Sequence, residues 1–128
     1  MLPNSLFAYS AMNAEEKLRV DQNIEDNSYM AGGQVDVTGN ISGDLFIAGG
    51  EILVTGKIRD NVFIGGGNIE TVGTIGGDAM IAGGSVRIKG NIGGDLRAAG
   101  GTVILESSGS GEVIIGAGTI RINKEVQI

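Results

Sequence analysis

Hydrophobic positions along this chain recur every 17 residues. Paired glycines or their equivalents mark the period: Gly32-Gly33, Gly49-Gly50, Gly66-Gly67, Gly83-Gly84, Gly100-Gly101 and Ala117-Gly118. The second residue after each pair is Val35, Ile52, Ile69, Val86, Val103 or Ile120, and the fourth is Val37, Val54, Thr71, Ile88, Leu105 or Ile122. Residues between and beside them are mostly polar, so each stretch alternates as a strand with one buried face does. A glycine follows (Gly39, Gly56, Gly73, Gly90), and a turn with positive φ is expected there. A single inward isoleucine comes next: Ile41, Ile58, Ile75 or Ile92. A turn signal such as Gly43-Asp44 then precedes a second inward pair, Leu45 and Ile47 in that copy. Three short strands and three corners predict one triangular coil per period.

Such a coil cannot bury its apolar face alone, so copies must stack. The predicted fold is all-β: a single-stranded parallel β-helix, or solenoid, of triangular 17-residue coils. Residues 16–128 would make about seven coils, a rod of roughly 30–35 Å at the ~4.8 Å spacing of neighbouring strands. The first coil lies in a glycine-free region, where Leu18, Val20 and Ile24 take the inward positions. Asp26-Asn27 replaces the Gly-Asp turn, and Tyr29 and Met30 match Phe46 and Ile47. Residues 1–15 fall outside the repeat. Each fully buried Val, Ile or Leu contributes roughly 1.5–3 kcal/mol, which offsets the large entropy cost of ordering so much glycine. Seventeen does not divide by six, which sets the chain apart from hexapeptide solenoids. The Ca²⁺-binding nonapeptide repeat also fits poorly; its nearest match, Gly73 to Asp78, does not recur every nine residues.

Composition narrows the chemistry. The 128 residues include 24 glycines, all between Gly32 and Gly118, and no cysteine, histidine or tryptophan. Disulfides and thiolate metal sites are thereby removed, as are the commonest general base and metal ligand. The net charge is −6 and the nine basic residues are scattered, which argues against a nucleic-acid footprint. Lys57 with Arg59, and Arg87 with Lys89, read as a solvated coat. No cofactor and no metal is expected.

The run Ala-Gly-Gly-x-Val-x-Val-x-Gly-x-Ile-x-Gly-Asp resembles the bactofilin-like, polymer-forming β-helix proteins of bacterial cell envelopes. Ile41-Ser42-Gly43-Asp44-Leu45, Ile75-Gly76-Gly77-Asp78-Ala79 and Ile92-Gly93-Gly94-Asp95-Leu96 carry the resemblance, which covers about residues 16–128. It implies a right-handed β-helix that assembles end to end into filaments, often near a membrane. On that basis the expected function is a non-enzymatic structural protein of a bacterial, membrane-associated cell envelope. Its partners would be further copies of itself and a membrane surface, not nucleic acid. The alternative is a carbohydrate-binding or carbohydrate-active β-helix module, for which Asp78 and Asp95 with Arg97 are the nearest polar candidates.

Two surface columns and one end stand out. Tyr29, Phe46, Phe63 and Met80 share an outward position, giving an apolar ladder across four coils and a candidate contact surface. Residues 1–15 could fold back over it with Leu6 and Phe7 as covers, or it could meet another copy or a membrane. Asn27, Asp44, Asn61, Asp78, Asp95 and Glu112 form the second column. Stacked carboxylates there could hold a hard cation, but Asx side chains satisfying backbone N–H groups at a tight turn explain it better. At the far end, Ile120, Ile122 and Val126 are the candidate end interface, because an unpaired edge invites strand addition. The apolar first fourteen residues read as a signal-peptide remnant, a membrane-touching segment or a disordered cap.

Overall fold

The computed structural model describes residues 6–10, 17–106 and 111–122. Among them are eight strands: β1 (Leu6–Ser10), β2 (Lys17–Val20), β3 (Asn27–Val37), β4 (Leu45–Val54), β5 (Val62–Thr71), β6 (Ala79–Ile88), β7 (Leu96–Leu105) and β8 (Val113–Ile122). They form one parallel sheet in the order β1-β3-β4-β5-β6-β7-β8, with β2 also paired to β3. The fold is a β-solenoid of about six turns. The seventh coil expected from the period would need residues outside the described set, Val126 among them.

From β3 to β8, every pair is offset by one period, as in Ile47↔Ile64 and Val54↔Thr71. Pairing runs through the first glycine of each corner, skips the second and resumes, as in Gly49↔Gly66 followed by Glu51↔Asn68. One long strand therefore covers two sides of a coil, with the glycine pair as the corner between them. The third side is a single bridge: Ile24↔Ile41, Ile41↔Ile58, Ile58↔Ile75 and Ile75↔Ile92. The inward columns make one continuous core, in which Val37, Leu45, Val62, Val86 and Ile88 are wholly buried. Two polar side chains share it. The Ser28 and Thr71 hydroxyls are buried without a hydrogen-bond partner.

Gly39, Gly56, Gly73 and Gly90 were expected to adopt positive φ. Among the described residues no glycine does. Space, not conformation, requires them. A Cβ on Gly56 would collide with the Gly39 carbonyl oxygen, and one on Gly73 with that of Gly56. Each such corner sits so close to the one beneath it that only a hydrogen fits between them. Gly43 is similar: a Cβ there would stand 2.6 Å from Asn27 Oδ1.

Part of the N-terminal segment joins the sheet. β1 pairs in parallel with the first half of β3, Leu6↔Asn27 through Ser10↔Ala31, while β2 pairs with its second half, Lys17↔Gln34 through Val20↔Val37. The offset is 21 residues for β1 (27 − 6) and 17 for β2 (34 − 17). Six residues thus link β1 to β2 where a glycine pair serves in later coils. This break in the period is why the repeat alone leaves residues 1–15 outside the stack. It also changes the covering expectation: the Leu6–Ser10 backbone lies beside Asn27–Ala31 at the sheet edge, not over Phe46 and Phe63.

Candidate functional site

The outward side of the first strand segment has two neighbouring columns. In the first, Tyr29, Phe46 and Phe63 stack ring on ring, with centroids 4.6 Å and 4.8 Å apart and planes within 7° of parallel. That spacing is the strand repeat itself, so the solenoid imposes the stacking. Met80 extends the ridge, and Arg97 ends its uncharged run. Tyr29 and Met80 are exposed, while Phe46 and Phe63 are half-buried by their neighbours. Both faces of the Phe46 ring are occupied by other rings, so only ring edges point to solvent.

The second column lies two residues further along each strand: Ala31, Ala48, Gly65, Ala82, Ala99 and Gly116. It forms a flat floor beside the ridge. A Cβ built on Gly65 or Gly116 meets nothing within 4 Å, unlike one on the corner glycines. Ridge and floor enclose an open apolar groove of about 530 Å³, lined by Tyr29, Ala31, Phe46, Ala48, Phe63 and Gly65 among others. The ridge was legible as an outward apolar column. The floor was missed because Ala48-Gly49-Gly50 read as a corner. Strand alternation from inward Ile47 would have placed Ala48 outward.

On the ridge's other flank runs the Asx column, and its chemistry is structural. The Asp44 N–H donates to Asn27 Oδ1 at 2.8 Å, Asn61 N–H to Asp44 Oδ1 at 3.0 Å, and Asp78 N–H to Asn61 Oδ1 at 2.8 Å. Asp95 N–H and Glu112 N–H continue the chain through Asp78 and Asp95, at 2.8 and 2.9 Å. The side chains do satisfy backbone N–H groups, as expected of Asx at a turn, but in the next coil rather than their own. At Gly43, Gly77, Gly94 and Gly111 a glycine clears the way, since a Cβ on Gly94 would collide with Asp78 Oδ1; Asp60 takes that place before Asn61. Asp78, Asp95 and Arg97 do come together, around a shallow cleft of about 220 Å³. One oxygen of each carboxylate is already committed to this ladder. Among the described residues no group of three or more acidic or other ligating side chains could hold a metal ion.

A second groove, of about 410 Å³, lies on the side after the glycine corner and is lined by Gln34, Asp36, Glu51, Glu70 and Arg87 among others. Some of the polar groups there are paired, with Gln34 Nε2 donating to Glu51 Oε2 at 3.2 Å and Lys89 Nζ 3.3 Å from Glu70, while Asp36 Oδ1 is buried without a hydrogen-bond partner. At the far end, β8 presents inward columns to solvent. Val113, Ile120 and Ile122 are exposed there, although their counterparts Leu96, Val103 and Leu105 are buried one coil earlier. Val126, the third residue of the expected end interface, lies outside the described residues. No described helix is long and apolar enough to cross a membrane.

Scanned against protein-family models, the chain finds no match, and searches of curated proteins and of solved structures find none either.

Proposed function

We propose that this chain is a structural protein, a bactofilin-like protomer that stacks end to end into a filament or scaffold at a bacterial cell envelope. The carrying observation is β8, where Val113, Ile120 and Ile122 lie open in the same columns that form the core elsewhere. A coil added there would bury them by the packing that joins β7 to β8, so the interface would continue the core. The Gly-Asp repeats support the family reading. The carbohydrate alternative is weaker on two counts: both faces of Phe46 and one face each of Tyr29 and Phe63 are already stacked on a neighbouring ring, and one oxygen each of Asp78 and Asp95 serves the backbone ladder.

Electron microscopy and sedimentation of the chain and its Ile122→Lys variant test this. Filaments from the parent, and monomers or end-limited dimers with unchanged circular dichroism from the variant, are expected. A parent that stays monomeric at high concentration and binds glycans would overturn it.

A further inference from the structure

We propose that the ridge-and-floor face pairs with the same face of a second copy, the two rods lying side by side and parallel. The face is self-complementary. It carries a ridge of large side chains, Tyr29, Phe46, Phe63 and Met80, beside an equally long floor of Ala31, Ala48, Gly65 and Ala82. Both repeat once per coil. A ridge of that rise fits a floor of that rise, and another copy of this chain supplies both.

The small size of the floor is not imposed from within. Gly65 has open space where its Cβ would stand, in contrast to Gly56 and Gly73. A Cβ at Gly65 would meet nothing of its own molecule, and a larger side chain there would fill the groove that a ridge from another molecule needs.

Charge and geometry select the orientation. Two facing rods can be related by a two-fold axis along the rods or across them. An axis along the rods reverses the left-to-right order of columns. Each ridge then lies over the other copy's floor, and the two Asx columns, with Asp44, Asp78 and Asp95, go to opposite outer edges. An axis across the rods preserves the order. It sets ridge against ridge and acid against acid, which is unfavourable on both counts. Only the parallel pair seats the rings and separates the carboxylates. A membrane of anionic lipid would meet the same acidic column, which disfavours it as the occupant.

The area sets the strength. Four coils at ~4.8 Å and about five residues at ~3.3 Å give on the order of 300 Å² per copy, below the ~800 Å² per partner of a standard interface. Single rods should therefore pair weakly and reversibly. Rods already stacked end to end would multiply the contact, though pairing itself does not require stacking.

Sedimentation equilibrium in an Ile122→Lys background isolates lateral pairing from end stacking. Concentration-dependent dimers are expected there. Adding Gly65→Leu, or separately Ala48→Gln, should weaken the dimer at least tenfold while the melting temperature stays level. Spin labels at Thr102→Cys should sit at one height in the dimer; an antiparallel pair would separate them by five coils, ~24 Å along the rod. A monomer at all concentrations, dimers indifferent to both floor variants, or the antiparallel distance would each overturn the proposal. So would vesicle binding that the floor variants abolish in a chain that never dimerises.

Discussion

Val20 and Ile122 occupy the same inward column at opposite ends of the described stack. Val20 is 1% exposed and Ile122 is 52% exposed. Both are β-branched and both sit on a strand paired in parallel to the next coil inward. Local sequence therefore does not decide which is core. Nor does pairing to one neighbouring coil decide it, since Val20 is buried beside β3 alone while Ile122 is exposed beside β7 alone. Ile24 on the first coil is likewise buried, whereas Val113 and Ile120 on β8 are not. A further coil laid over β8 would add burial free energy of roughly 1.5–3 kcal/mol for each side chain it covered.

The largest expected effect contrasts interior with end. Ile75 is 1% exposed and bridges Ile58 and Ile92. Ile75→Asp places an unpaired charge there and should cost about 4–5 kcal/mol or more, enough to abolish the folded circular dichroism spectrum. Ile122→Lys should shift the melting curve by less than ~1 kcal/mol, since its side chain is already solvated. Equal damage from both would mean that interior and end do not differ as described.

A second contrast sets two glycines against each other. Gly73→Ala drives a methyl group into the Gly56 carbonyl and should destabilise by about 1–3 kcal/mol. Gly65→Ala meets nothing and should be neutral, or stabilise by about 0.5–1 kcal/mol by removing glycine's backbone freedom from a strand. Thermal melts of the two variants decide this directly.

Smaller effects concern polar groups between coils. Asp78→Ala removes the acceptor for the Asp95 N–H and should cost about 0.5–1.5 kcal/mol, whereas Asp78→Asn keeps an acceptor oxygen and should cost little. Denaturant titration showing both variants equally weak would point to charge rather than the ladder. Thr71→Val replaces a buried, unpartnered hydroxyl in a column flanked by Val54 and Ile88, and should stabilise by about 1 kcal/mol.

Much of the fold was legible because a fixed period makes every coil restate the same strands. The inward columns, the glycine-free first coil from Leu18 to Met30 and the outward Tyr29-Phe46-Phe63-Met80 ladder all follow from alternation within that period. Three features did not. The role of Gly56 and Gly73 depends on a carbonyl one coil away, which a linear pattern does not display. The floor at Ala48 and Gly65 hid inside what reads as a corner. Leu6–Ser10 joins β3 out of period, so no repeat could reveal it. Each of these depends on how one coil meets another, or on a break in the period.

Hydrogen exchange of the β8 amides, followed as the protein is concentrated, tests the central claim most directly. Val113–Ile122 is the strand that the proposed stacking would cover. The β8 amides that face away from β7 should exchange fast in dilute protein and become protected as filaments form, while internal strands such as β5 stay protected throughout. Filaments that form while β8 exchanges at its dilute rate, or β8 amides fully protected in the monomer, would contradict end-to-end stacking through this strand.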